Sequence, residues 1–208
     1  MKIKASVLIP AYNAEKTIKR AIDSIPDRED IEILVWDDGS EDFTYEQAQE
    51  ALHGRKNPRL VGISVDNHGV AATLNLLLAR AKGEFVTFLG SDDWLITDAF
   101  EKIIDNLKPN QDLVYYDLEI NSGEVFHLTE ETKNLYCGST KFMRREFIKE
   151  LWIDETKKAA EDRYFFEELQ KRNPRETFTG VVAKHYNFPR EGSLTWKRQH
   201  GMFRKEEI

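Results

Sequence analysis

Four short apolar runs, each closed by a polar cluster and each joined to the next through a helix-like stretch, limit most strongly how this chain can fold. The runs are Ala5–Ile9, Ile31–Trp36, Leu60–Val65 and Phe85–Leu89. Between them, Ala14–Ile25 carries Ile18, Ala21, Ile22 and Ile25 at helical spacing. Phe43–Leu52 is a weaker helical pattern, and Val70–Ala81 sets Ala71, Leu74, Leu78 and Ala81 along one face. Strand and helix in alternation predict a mostly parallel sheet with helices on its faces and right-handed crossovers. Parallel strands end at one edge, so the clusters that follow them meet there. These clusters are Pro10 to Asn13, Asp37 to Ser40, Asp66 to Gly69, and Ser91 to Asp93. Open α/β sheets bind ligands at that edge.

The fourth run carries the sharpest chemistry. In FVTFLGSDDWL a buried strand stops at Gly90-Ser91 and delivers Asp92 and Asp93 before turning apolar at Trp94-Leu95. Hard cations such as Mg²⁺ are held by one or two carboxylates together with substrate phosphates. Taken alone, an Asp-Asp pair after a strand is more often a solvated turn or a helix cap. Its weight comes from the clusters that the topology places beside it.

The second half reads as mixed. Thr97–Leu107 is helical, and Leu113–Ile120 with Glu124–Leu128 forms a hairpin across Asn121-Ser122-Gly123. Met143–Leu151 is expected as a short helix, Ala160–Lys171 as another, and Phe178–Tyr186 as a strand. In Ala160–Lys171 the apolar Phe165, Phe166 and Leu169 follow Asp162 by three, four and seven residues, which turns Asp162 inward and leaves Glu161 on the flank. By spacing alone, Asp162 serves equally as a catalytic carboxylate or as a complement to the helix N-terminus. Trp94 and Trp152 are candidates for flat faces against a sugar ring, although an isolated Trp is more often core.

At 208 residues the chain suffices for one sizeable domain. Its net charge of −7 disfavours nucleic acid as a partner. The C-terminal segment departs from this acidity. Between Lys184 and Lys205, the basic residues Lys184, Arg190, Lys197, Arg198, Arg204 and Lys205 face only Glu191, so the segment either meets an anionic group or is a solvated surface. A single cysteine, Cys137, excludes an internal disulfide and suits a reducing compartment. No apolar run approaches the ~20 residues of a membrane span, and the N-terminus lacks the pattern of a signal peptide. The expectation is a cytoplasmic protein without a transmembrane anchor.

The blocks VLIPAYNAEKTIKRAIDSI, VWDDGSED, DNHGVAATLN and AKGEFVTFLGSDDW, with AEDRYFFEEL and YNFPREGSLT further on, resemble family 2 of the inverting GT-A glycosyltransferases. The resemblance spans nearly the whole chain. It implies a Rossmann-like, mostly parallel GT-A sheet flanked by helices, with a mixed α+β acceptor half. The implied domain is single, over 1–208, with a nucleotide-sugar-binding half at 1–95 and an acceptor half with a closing tail at 96–208. The implied reaction is inverting transfer from a nucleoside-diphosphate sugar, UDP by resemblance, with Mn²⁺ or Mg²⁺. The acceptor is a hydroxyl on a cell-surface polysaccharide, a lipid-linked oligosaccharide, a protein or a modified nucleic acid, all of which the sequence leaves open. Carried over by position, Pro10, Ala11 and Tyr12 line the base pocket, and Asp38 accepts a hydrogen bond from base or ribose. Asn67, Gly69 and Ser91 lie at the nucleotide. Asp92 coordinates the metal, and Asp162 is the general base. Arg190 is a candidate for the diphosphate, because a guanidinium fork matches phosphate oxygens, and His200 is a candidate third metal ligand. Two departures stand out: Gly90 occupies the first position of Asp-X-Asp, and Ala72 to Asn75 lacks the Arg that the family often carries there. Two other readings stay open, a sugar nucleotidyltransferase and a non-catalytic nucleotide-sugar-binding protein. The first needs a Gly-rich loop that IPAYNAEK does not provide. A dinucleotide oxidoreductase is disfavoured because no G-x-G-x-x-G follows the first strand.

Overall fold

The opening apolar run becomes β1 (Ala5–Ala11), buried at every position except the partly exposed Pro10. A strand covered on both faces has no room for alternation, so its sequence is a continuous apolar run. A computed structural model describes residues 2–57, 59–134, 138–157 and 161–188. Within them β1 pairs in parallel with β2 (Ile31–Asp37) on one side and β4 (Phe85–Phe88) on the other, and β2 pairs in parallel with β3 (Arg59–Ile63). The connecting helices are α1 (Ile18–Asp23), α2 (Thr44–Leu52) and α3 (Val70–Arg80). α1 starts later than its apolar spacing suggests. Asn13 sits at φ 48° and the Ala14 amide donates to Thr44 Oγ1 at 2.7 Å, so the chain turns before it winds.

The remaining elements are β5 (Trp94–Leu95), α4 (Thr97–Asn106), β6 (Leu113–Ile120), β7 (Val125–Phe126), β8 (Lys141–Arg144), α5 (Glu161–Lys171) and β9 (Glu176–Tyr186). Among the described residues, all nine strands belong to one sheet, ordered β3-β2-β1-β4-β8-β6-β9-β5, with β7 paired to β6. The mixed α/β architecture expected from the sequence is therefore present. The helix expected at Met143–Leu151 is not. Lys141–Arg144 is instead a strand, antiparallel to both β4 and β6, and 145–150 is a run of turns with Glu150 at φ 67°. Phe142 and Met143 enter the two opposite cores, which is strand periodicity, and the edge of β4 supplies the backbone partners. The two-residue β5 was also unforeseen.

The sheet divides the apolar residues into two cores. One packs Ala5, Val7 and Ile9 of β1 with Ile18 and Ile22 of α1, Ala48 of α2 and Phe100 of α4. The other packs Leu8 with Leu74 and Leu77 of α3 and Phe165, Phe166 and Leu169 of α5. Register places the C-terminal ends of β1 to β4 at one edge. Phe85 opposes Arg144 in the antiparallel pair, so the segment entering β8 (138–140) lies at that edge as well.

At the opposite edge, Asp112 ties three strands. Its Oδ1 accepts from Arg144 Nε at 3.0 Å and its Oδ2 from Arg175 Nε at 2.8 Å. The Arg175 hydrogen bond, against an opposing burial penalty and with help from Arg144, holds this carboxyl well below the usual carboxylate range. A depressed folded-state pKa contributes stability that is present above the unfolded value of ~3.9 and lost as pH falls below it. Asp112→Asn should therefore lower Tm at pH 7, with the gap to the unaltered chain narrowing as melting is measured from pH 5 down to pH 3. A gap that stays constant over this range contradicts the linkage.

Candidate active site

The loops that leave β1, β2 and β3 are laced together before any ligand arrives. Asp37, at the end of β2, accepts from the Ser40 amide at 3.0 Å and from the Ser40 hydroxyl, and Ser40 Oγ in turn accepts from the Asn13 amide at 2.8 Å. Asn13 Oδ1 returns the contact by accepting from the Glu41 amide at 3.0 Å. Asp38 is buried, and its carboxylate accepts from the amides of His68 at 3.1 Å and Gly69 at 2.8 Å. It thus closes the start of α3, whose N-cap is Gly69 at φ 91°. Gly39, at φ 77°, allows the β2 and β3 loops to touch: a Cβ there would lie 2.8 Å from the Asp66 carbonyl carbon. Asn67 is exposed and accepts from the Gly69 amide at 3.0 Å. Tyr12 keeps 46% of its surface exposed although Ala11 beside it is buried, so an aromatic ring stands open at the strand-end edge.

The turn after β4 is closed by the Asp93 amide donating to the Gly90 carbonyl at 3.1 Å. The two adjacent acids have different surroundings. Asp92 and Ser91 are partly exposed. Asp93 is buried and forms an ion pair with Lys184 Nζ at 2.7 Å, both side chains 3% exposed or less. Its Oδ1 also accepts from the Asn187 amide at 3.0 Å. Lys184 therefore belongs to the interior, not to a solvated basic tail. Gly90 makes this arrangement possible: a Cβ there would lie 2.9 Å from Asp93 Oδ2 and 3.1 Å from Asp92 Oδ1. The two carboxylates fold over the bare Cα where the family's first acid would stand.

Below the turn runs a buried polar chain. Lys184 Nζ donates to Ser139 Oγ, the Tyr116 hydroxyl donates to the Ser139 carbonyl at 3.1 Å, and Thr87 Oγ1 meets the Tyr116 hydroxyl at 3.0 Å. Burial, reinforced by Asp93 and opposed by the Thr87 bond, pushes the Tyr116 phenol well above its usual range and keeps it neutral. Beside Ser139, Gly138 faces Asp162, whose Oδ2 lies 3.0 Å from where a Gly138 Cβ would be. Asp162 opens α5 and is partly exposed, as is Glu161. The 138–139 segment thus stands between Asp162 on α5 and the Asp92-Asp93 turn. Trp94 does not offer a face to a sugar: Arg20 lies over its ring at 3.8 Å, and His185 stacks on it at 3.7 Å between centroids. Trp152 is 61% exposed.

Arg190, His200 and Cys137 lie outside the described residues. Among the described residues no three His, Cys, Asp or Glu side chains gather into a metal cage, and no helix is long and apolar enough to cross a membrane. A cleft of about 240 Å³ bounded by Lys2, Lys82, Glu84 and Arg145 sits at the opposite edge of the sheet, away from these loops. The sequence reading grouped Lys184 with a basic segment that either meets an anion or is solvated, and it overlooked Gly138, Arg20 and His185. A lysine inside the apolar run VVAKHY was the signal for an interior position, since an interior strand buries such a group only with a partner. The other three carry no local signal.

Residues 6–169 match the family described as Glycosyl transferase family 2. An uncharacterized glycosyltransferase of Haemophilus influenzae is 31% identical over 176 residues, covering 77% of this chain and 69% of that protein. Residues 1-349 of TarS from S. aureus, in complex with UDP-GlcNAc, superpose with a TM-score of 0.77 at 24% identity, over 91% of this chain and 60% of that one. The mannosyltransferase PcManGT of Pyrobaculum calidifontis, in complex with GDP-Man and Mn²⁺, superposes with a TM-score of 0.70 at 18% identity, over 95% of this chain and 60% of that one. These two likenesses identify the sheet and its helices as the GT-A type. The matched stretch covers between 10% and 69% of the length of the curated relatives.

Removing one partner of a buried ion pair strands the other charge, at a cost of about 3–5 kcal/mol. Lys184→Met should destabilise the chain by that amount in denaturant unfolding, and adding Asp93→Asn should recover part of the loss. A single variant within 1 kcal/mol of the unaltered chain, roughly the worth of an exposed pair, would contradict the burial of this pair.

Proposed function

The chain belongs to glycosyl transferase family 2, and we propose that it moves a sugar from a nucleoside-diphosphate donor to an acceptor hydroxyl by single displacement with inversion. The observation that carries this reading is the meeting, at one sheet edge, of the laced β1, β2 and β3 loops, the Asp92 turn and the Asp162 carboxylate. Residues 1–95 serve as the donor half and 96–208 as the acceptor half of one domain. Pro10, Ala11 and the open ring of Tyr12 line the base. Asp38 serves base or ribose from its pinned position, and Asn67, Gly69 and Ser91 border the nucleotide. UDP is the proposed donor nucleotide, supported by the family resemblance and by the UDP-GlcNAc bound to TarS.

The donor set suits a cation that arrives with the diphosphate. Asp93 is paired with Lys184, and Asp92, the position to which the family resemblance assigns the metal, would hold it together with oxygens of the diphosphate, a hard and oxygen-only donor set. Mn²⁺ or Mg²⁺ bound by Asp92 would supply positive charge against the departing nucleoside diphosphate, and the Mn²⁺ in PcManGT supports that choice. Arg190 adds a guanidinium to the same charge. In the displacement, the acceptor oxygen bonds to the anomeric carbon as the bond from that carbon to the diphosphate oxygen breaks. The hydroxyl proton passes to Asp162, and the nucleoside diphosphate leaves with the bonding electrons. Asp162 needs only hydrogen-bond reach of the acceptor, and its place across Gly138 from the turn supports that role.

The test is a panel of UDP- and GDP-sugars assayed for metal-dependent release of nucleoside diphosphate, with and without glycan and lipid-linked acceptors. Binding without release across the panel would favour a non-catalytic sugar-nucleotide receptor. With UDP present, Mn²⁺ should raise Tm, whereas Mn²⁺ alone should not, because ligand bound to the native state stabilises it. Asp92→Ala should abolish the metal-dependent part of that shift. Asp162→Asn should lower transfer by about 10²–10⁴-fold at unchanged donor affinity, since a base acts only in the transition state. Glu161→Gln should stay within tenfold of the unaltered chain. An inactive Glu161→Gln beside an active Asp162→Asn reverses the assignment.

A further inference from the structure

The turn that bears Asp92 is closed on itself by the Asp93 amide and the Gly90 carbonyl, and Asp93 anchors its inner side to Lys184. Its outer side is held from elsewhere in the chain. Arg20, on the exposed face of α1, reaches across and donates from Nη2 to the Asp92 carbonyl at 2.9 Å. Its guanidinium carbon lies 3.8 Å from the centroid of Trp94, two residues further on. His185 lies 3.7 Å from the same centroid at an interplanar angle of 12°. Two groups that close cannot share one face of an indole, so Arg20 and His185 clasp Trp94 from opposite sides.

Each layer of this sandwich is itself fixed. Trp94 pairs with His185 across the β5–β9 ladder. His185 Nδ1 faces Glu119 Oε1 at 3.0 Å, and Nε2 faces Asn121 Oδ1 at 2.9 Å. Asn121 also donates to Asn187 Oδ1 at 3.0 Å, and the Asn187 amide donates to Asp93. The stack therefore joins three elements: α1, which follows the β1 loop, the turn that bears Asp92, and the root of the segment beyond Phe188.

We propose that Arg20, acting through its stack on Trp94 and His185, is the positioning residue that sets Asp92 for the diphosphate-borne cation. This rests on the reading of Asp92 as the cation ligand. A guanidinium suits the task where an ammonium does not, because its plane lies on the indole while one N–H stays aimed at the carbonyl. Arg20 does not touch substrate; it acts through the Asp92 backbone.

The experiment compares Arg20→Ala, Arg20→Lys and, as a control, Arg172→Ala. Arg172 donates to the Phe147 and Lys149 carbonyls, far from the turn, so its loss reports a plain stability effect. The readouts are Tm without ligand, the UDP-dependent Tm shift in chelator, and the Mn²⁺ concentration that half-saturates the further shift in UDP. Arg20→Ala should raise that half-saturating concentration about tenfold, the scale on which a misplaced charge-assisted contact is felt, and leave the shift in chelator unchanged. Arg20→Lys should behave like Arg20→Ala, and Arg172→Ala should leave half-saturation where it is. Recovery by Arg20→Lys would mean that bulk charge, not the stack, is responsible, and it overturns the proposal. So does an unchanged half-saturation in Arg20→Ala when the unaltered chain shows its metal-dependent shift. Absence of that shift from the unaltered chain overturns the Asp92 reading and this inference with it.

Discussion

Asp93 and Lys184 face each other at 2.7 Å with almost no contact with water, and the two halves of the chain meet on that contact. Taking two charges out of water is expensive and is recovered only where the remaining hydrogen-bonding capacity is filled. Here Ser139 takes a further Lys184 proton and the Asn187 amide occupies Asp93 Oδ1. The pair thereby fixes the turn after β4, the segment that enters β8 and the exit of β9 with respect to one another. It also divides the labour of two neighbouring acids. Asp93 becomes part of the interior, and Asp92 stays at the surface of the edge.

The edge around that turn is ordered by contacts within the protein. Asp37, Asp38, Ser40 and Asn13 spend much of their hydrogen-bonding capacity on backbone amides of these loops, and Gly39 lets two loops approach more closely than any side chain would permit. Such a surface loses little freedom when a ligand arrives, which is the general advantage of preorganisation. On the far side of the molecule, Asn75 of α3 makes a comparable tie. Its amide accepts from the Ile153 amide and donates to the Ile153 carbonyl, both at 2.9 Å, and so ties the segment before α5 to α3. The stretch Ala72 to Asn75 carries no Arg, and its buried Asn serves the fold.

Most of the parallel half was legible because its signals are local. A strand buried on both faces must be apolar throughout, a helix against a sheet must repeat every three to four residues, and turns collect Gly, Asp and Asn. β2, β4, α2 and α3 accordingly fall within one residue of their expected limits, and β1 runs two residues further. Errors arose where a neighbour decides. Lys141–Arg144 has no strand signature of its own and becomes β8 because β4 and β6 offer it backbone partners on both sides. Trp94 was open between a face for a sugar and a packed interior residue, and a helix and a strand distant in sequence take its faces.

The amino-acid sequence by itself determined the alternation of strand and helix, the edge at which the polar clusters converge, and the family to which those clusters belong. All three follow from patterns within a few turns of chain. Only the tertiary structure decided which of two adjacent aspartates is buried in an ion pair, that Lys184 is an interior partner and not a surface charge, and that Arg20 reaches the Asp92 turn. These depend on contacts between residues 72 to 91 positions apart, where no periodicity operates and burial alone selects the partner.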